Sequence, residues 1–357
     1  MQDLSQVFKG KRVFLTGHTG FKGAWMLQLL HHLGAIVKGY ALAPEQDQDL
    51  YNQVNGDELC YASVIEDIRN AALLQGEMVR FEPDFVFHFA AQALVRKSYE
   101  IPVDTFSTNV MGTVHILEAM RHLDKPCTGI IITTDKVYEN NERGLPFLES
   151  DKLGGYDPYS ASKAASEIAI SSYINSFFNP AEYNKHQKSV VAMRAGNVIG
   201  GGDYAADRII PDIVRAIQQD VPVQLRNPAS VRPWQHVIEP LYAYLQTAAH
   251  LQEQPLQYAT AYNIGPEATD VLDVKTVTEQ FIQAFGRGAY ETPEQNGAAV
   301  HEAKLLLLDN TRIKEDIGFR PKLNAQQAIQ WTAEWYADKE HTAAEKCCAQ
   351  IEAYMQL

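Results

Sequence analysis

Apolar residues in the first half of the chain follow two alternating spacings. Short unbroken runs at Arg12 to Leu15, Ile36 to Tyr40, Phe85 to Phe89, Gly129 to Thr133 and Val190 to Arg194 have the length and continuity of strands buried on both faces. Between them, apolar positions recur at three and four, as on an amphipathic helix. Ala24 to Leu33 is one such segment, and Asn109 to His122 is another, with Val110, Val114, Leu117 and Met120 on one face. This alternation predicts βαβ units and a doubly wound parallel α/β sheet, whose ligand crevice lies at the carboxyl ends of the strands. After residue 195 the texture loosens, with Gly200-Gly201-Gly202 and several prolines. Residues 1–195 are therefore expected to form the sheet domain. Residues 196–357 are expected to form a smaller, interleaved α/β domain, with segments near 235–265 returning to the sheet, Ala261 to Ile264 among them. Ala325 to Gln356 reads as helical.

Charge and cysteine usage exclude several classes of function. The net charge is -13 over 357 residues, with Lys and Arg scattered among acids, so no basic patch is available to follow a nucleic-acid backbone. Cys60, Cys127, Cys347 and Cys348 have neither metal-ligand nor disulfide-framework spacing, which points to a reducing compartment, with the adjacent pair ordinary helix residues. The N-terminal MQDLSQVFKGKR has no apolar signal core, and no run of 18 apolar residues occurs. A cytoplasmic protein is expected, with no membrane partner and no metal.

The stretch TGHTGFKG, residues 16–23, lies between the first strand run and the first helix. Glycines at 17, 20 and 23 suit a turn, a close backbone approach to phosphate and tight helix packing, while the helix N-terminus offers N–H groups to an anion. The G-x-x-G-x-x-G spacing is one residue wider at its first gap than the usual dinucleotide fingerprint. A glycine-rich structural turn is the competing reading. Downstream, Tyr159-Ser-Ala-Ser-Lys163 sets a phenol and an ammonium four apart, on one face of a helix. Such a cation favours the phenolate and makes Tyr159 a candidate base. The strand run ending in Thr133-Thr134-Asp135-Lys136 precedes this pair.

In order and spacing, TGHTGFKG, FHFAAQ (87–92), TNVMGT (108–113), TTDK (133–136) and YSASK (159–163) resemble the extended short-chain dehydrogenase/reductase family over roughly the first 200 residues. The resemblance implies a Rossmann-like fold, NAD or NADP, and a nucleotide sugar as substrate. It implies that Thr134 hydrogen-bonds the sugar hydroxyl, that Tyr159 takes its proton, and that Lys163 holds the nicotinamide ribose. It places Gly17, His18, Gly20, Phe21, Gly23, Asp67, Ile68, Ala90, Ala91, Gln92 and Asn109 along the cofactor, with Asp67 equally readable as a helix cap. Ser98, Asn197 in RAGNVIGGGD and Arg232 in VRPWQHV fall to the substrate; Arg208 is a further cationic candidate for it, as is Lys304, with surface ion pairing the stronger reading for both, and His236 is given no chemical role.

Asp135 and Lys136 distinguish the reaction types within the family. An epimerase removes and returns a hydride, whereas a 4,6-dehydratase also needs an acid and a base to eliminate water across C5 and C6. Asp-Lys in place of the commoner Asp-Glu, together with His18 after the first glycine, resembles the branch of hydro-lyases acting on CDP-D-glucose. Asp135 is then the expected acid and Lys136 the expected base, provided that burial or Lys163 lowers the lysine's pKa. The 4-keto-6-deoxy product of such enzymes feeds deoxysugars of cell-surface polysaccharide such as lipopolysaccharide O-antigen. The family also implies a homodimer, or a dimer of dimers, through a four-helix bundle of the Asn109 and Tyr159 helices. NAD is favoured by a redox-neutral cycle, although no acid precedes Glu45 after the second strand run. Another nucleotide-sugar dehydratase, a 4-epimerase and a non-catalytic nucleotide-binding regulator stay open. Finally, a bulky His18 is expected to crowd the pyrophosphate.

Overall fold

The computed structural model describes residues 3–140, 144–267, 270–292 and 306–357. Seven strands form one parallel sheet: β1 (Arg12–Thr16), β2 (Ile36–Ala41), β3 (Ala62–Ile65), β4 (Phe85–His88), β5 (Cys127–Ile132), β6 (Lys188–Ala195) and β7 (Ala261–Ile264). Their order is 3-2-1-4-5-6-7, with every neighbouring pair parallel. Chain direction across the sheet reverses between β1 and β4, and a crevice opens at such a switch point.

The continuous apolar runs follow from helices covering both faces. Val13 and Leu15 enter one core layer with Phe85, Phe87, Ile130 and Ile132, while Phe14 enters the other with Val86, Ile131 and Val190. All five expected strands form, and Ala261–Ile264 returns to pair with β6, as expected. The strand absent from the sequence reading is β3. It lies at the sheet edge, only half-buried, with Ile65 51% exposed, so it lacks the apolar run of its neighbours.

Helix boundaries depart from the periodicity where loop chemistry intervenes. The first helix spans Phe21–His32, starting earlier than Ala24, because Gly20 serves as its N-cap and the motif's last residues already wind. The Asn109–His122 segment is α-helical over Gly112–Arg121 and is preceded by a π-helical turn at Ser107–Met111. The C-terminal segment is two helices, Ala325–Ala337 and Ala343–Gln356, each opened by a capping box, Asn324 with Gln327 and Thr342 with Glu345. All four cysteines are free, and Cys347 and Cys348 do lie in the last helix. No helix among the described residues is long and apolar enough to cross a membrane.

Candidate active site

The glycine loop connects β1 to the Phe21–His32 helix at the switch point. Gly17 has φ +71°, and a Cβ there would lie 2.7 Å from the Ala90 nitrogen, so only glycine lets the loop pass the end of β4. A Cβ on Gly23 would run into the Gly17 carbonyl, which is the close helix packing expected of the third glycine. Gly20 is exposed at the helix N-terminus. This cradle fits the pyrophosphate of a dinucleotide.

The chain after β5 carries three of the residues expected to react. Thr134, Asp135 and Lys136 leave the strand in a 3-10 turn that buries Asp135 completely. Asp135 Oδ1 accepts from Thr134 Oγ1 at 2.9 Å and from Lys136 Nζ at 3.2 Å, while its buried Oδ2 has no hydrogen-bond partner. Lys136 Nζ also donates to Asn197 Oδ1 at 3.2 Å. Opposite stands the Pro158–Ser176 helix, N-capped by Asp157, with Tyr159, Lys163 and Glu167 four apart on one face.

The electrostatics of Tyr159 differ from expectation. Burial raises its pKa above the usual phenol value, while Lys136, the Thr134 hydroxyl and Arg208 pull it down and Asp135 pushes it up. The Lys163 ammonium is engaged elsewhere. Its Nζ donates 3.1 Å to the Ile132 carbonyl, and burial brings its pKa down to about 8. The ammonium-activated phenolate is therefore not preformed in this structure.

A polar node braces the cofactor side. The π-turn carries Asn109 inward, where Oδ1 accepts from the Gln92 N–H at 2.8 Å and Nδ2 donates to the Gln92 carbonyl at 3.0 Å and to Ser162 Oγ at 2.8 Å. Asn109 thus ties the chain after β4 to the Pro158–Ser176 helix. At 1% exposure it positions Gln92 and does not itself reach the cleft.

The GDP-mannose 4,6-dehydratase family model matches residues 14–332 of the chain. The chain belongs to this family. It is thereby an extended short-chain dehydrogenase/reductase. It is 42% identical over 329 residues to the CDP-glucose 4,6-dehydratase of Salmonella typhimurium, covering 92% of this chain and 91% of that one. Likeness to the dTDP-glucose 4,6-dehydratase of Streptomyces antibioticus is 29% over 335 residues, 91% of this chain and 92% of the relative. Among solved structures, DesIV, the dTDP-glucose 4,6-dehydratase of Streptomyces venezuelae with NAD bound, superposes with a TM-score of 0.76 at 22% identity, over 92% of this chain and 97% of that one.

Against the family pattern, several expected contacts take a different form. The His18 imidazole does not enter the cleft: it is fully buried, its Nε2 2.9 Å from Ser63 Oγ and its ring edge-on to Tyr51 at 5.2 Å. Crowding of a pyrophosphate by the ring is thus overturned, and any influence of His18 must pass through the loop backbone. Ser98 is also fully buried, with Oγ donating to the Val95 carbonyl at 2.6 Å, so its hydroxyl is consumed within its own short helix and is not offered to substrate. Asp67 is not a helix cap, since Asn70 caps the Ala71–Phe81 helix, and its carboxylate is held by Arg69. Ile68 is buried beside Gly112, and Ala90 and Ala91 remain half-buried at the end of β4.

On the substrate side, Asn197 meets Lys136 as described. Arg208 pairs with Asp203 at 2.9 Å and lies close enough to influence Tyr159. Arg232 is buried, with Nη1 donating to the Val231 carbonyl at 2.9 Å. Lys304 lies outside the described residues. His236 is wedged between Trp25 and Trp331. The sequence reading missed Lys22, inside the glycine motif, and the pair formed by Glu167 and Arg194. Lys22 showed only its place in TGHTGFKG, because the groups around it come from remote segments.

Proposed function

We propose that this protein dehydrates CDP-D-glucose to CDP-4-keto-6-deoxy-D-glucose with NAD as a retained cofactor. The observation that carries the reading is Lys136 bonded both to Asp135 and to Asn197, with Asp135 also bonded to Thr134 and Tyr159 close by. An acid and a base beyond the oxidation set are what an elimination needs and an epimerisation does not. The choice of CDP rests on the likeness to the Salmonella relative.

NAD, when bound, supplies a hydride acceptor for C4 and later returns the hydride at C6. Gly17, Gly20, Phe21, Gly23, Ala90, Ala91 and Gln92 would hold it, with Asn109 fixing Gln92. Thr134 orients the C4 hydroxyl and Tyr159 takes its proton, for which Lys163 must leave the Ile132 carbonyl and approach the phenol. Once C4 is a ketone the C5 proton is acidic; after Lys136 Nζ passes its proton to Asp135 along their 3.2 Å contact, the neutral amine removes the C5 proton while the protonated Asp135 delivers its own to the departing C6 hydroxyl. Asn197, Arg208 and Arg232 hold the diphosphate, an arginine's planar fork suiting two phosphate oxygens at once. Residues 196–357 thus form most of the substrate side. Val103, Phe106, Met111 and Ile168 lie exposed on adjoining helical segments and fit a homodimer built across that face. The enzyme acts in the cytoplasm, upstream of deoxysugar transfer to surface polysaccharide.

The test is incubation with CDP-, dTDP-, UDP- and GDP-linked hexoses in deuterated water. CDP-glucose should give a 4-keto-6-deoxy product, seen by its absorbance in alkali and carrying deuterium at C5. A product without deuterium at C5, or a Lys136→Ala variant working at the wild-type rate, would sink the proposed elimination.

A further inference from the structure

Cations from four separate elements converge on the cleft: Lys22 from the glycine loop helix, Lys136 from the turn after β5, Lys163 from the catalytic helix and Arg208 from the start of the Ile209–Gln218 helix. Within this group Lys136 pairs with Asp135, Arg208 with Asp203, and Lys163 with a carbonyl. Lys22 has neither an ion pair nor a hydrogen bond among the described residues. Its place makes this stranger. It is the second residue of a 12-residue helix with no acid in the first turn, where the helix's own N-terminal charge opposes an ammonium. A surplus of positive charge, held in a protein of net charge -13, calls for an anion that the folded chain does not provide.

We propose that Lys22 is a diphosphate-binding residue whose ammonium completes the charge balance of the cleft when a nucleoside diphosphate group enters. The proposal rests on the reading of this cleft as a nucleotide-sugar site. The diphosphate could be that of the sugar nucleotide, beside Arg208, or the pyrophosphate of the dinucleotide, on the same glycine loop. In either case binding carries a proton with it. Without the anion, burial and the like charges of Arg208, Lys163 and Lys136 outweigh the attraction of Asp135 and bring the Lys22 pKa down to about 7. A bound dianion reverses that balance, so Lys22 takes up a proton on binding and affinity falls as pH rises above 7.

Calorimetric titration of the NAD-loaded protein with CDP and, separately, of the protein stripped of NAD with ADP-ribose tests this, at pH 6.5 and 8.5 in buffers of different ionisation enthalpy. Wild type should take up a proton with one of the two ligands. Lys22→Met should weaken that ligand at least about tenfold and abolish the uptake, whereas Lys22→Arg should hold the affinity and remove its pH dependence. Loss in the CDP arm assigns Lys22 to the sugar nucleotide, and loss in the ADP-ribose arm assigns it to the cofactor. Unchanged affinities in Lys22→Met, or unchanged proton uptake in a folded Lys22→Arg, would overturn the proposal. Failure of wild type to bind either ligand would instead overturn the reading of the cleft on which it rests.

Discussion

His18 and Gly39 are a packing pair between the glycine loop and β2. A Cβ on Gly39 would run into the His18 ring, so β2 carries a glycine mid-strand where the loop carries a bulky residue. Gly39→Ala should destabilise the protein by about 1–3 kcal/mol through overpacking. In a His18→Gly background the same substitution should cost little, giving a coupling of about 0.5–3 kcal/mol in a urea-unfolding double-mutant cycle. At this scale the sequence was half legible. Gly17, Gly20 and Gly23, set between a strand and a helix, offered a phosphate cradle or a structural turn, and sterics now explain why 17 and 23 must be glycine. His18 passed for a cleft residue because its partner sits on the next strand, and a glycine in a strand shows nothing of what fills its space. Tyr159 and Lys163 were legible because helical geometry alone joins them, but where the Lys163 ammonium points depends on the Ile132 carbonyl.

The Pro158–Ser176 helix is held by a buried ion pair one turn beyond Lys163. Glu167 receives both Arg194 Nε and Nη2 at 2.9 Å, and the Thr133 hydroxyl at 2.6 Å, so helix, β6 and the end of β5 are locked together just before Thr134. Both side chains are about 5% exposed or less. Glu167→Ala would strand the Arg194 charge and should cost about 3–5 kcal/mol in denaturant unfolding, more than replacing both partners by apolar residues. Interior strands were readable as elements because both faces are buried, whereas β3 was not because an edge needs fewer apolar residues. The π-turn at Ser107–Met111 escaped because it interrupts backbone bonding without breaking the apolar period, and yet it is what carries Asn109 to Gln92.

For the molecule as a whole, histidines that fold neutral contribute to stability against acid. Burial brings the pKa of His18 down to about 4, and those of His88 and His236 down to about 3. Each lies below the 6.5 of a free side chain, so the unfolded chain binds more protons as pH falls. The stability is complete above pH 6.5 and is lost toward pH 3–4, with a slope of about 1.4 kcal/mol per pH unit from each histidine. Urea midpoints should therefore drop steeply between pH 6.5 and 4.5, and His236→Phe, which keeps a ring between Trp25 and Trp331, should make the drop shallower. The return of the chain to the sheet at Ala261–Ile264 also governs synthesis. Every residue of β6 is buried in the finished fold, yet when Ala195 is made its outer neighbour does not exist. At about 5–20 residues per second, the ribosome needs roughly three to fourteen seconds more to deliver β7. Throughout that interval the nascent half-protein carries an open, apolar strand edge, a template on which another unfinished chain can pair before this one closes it.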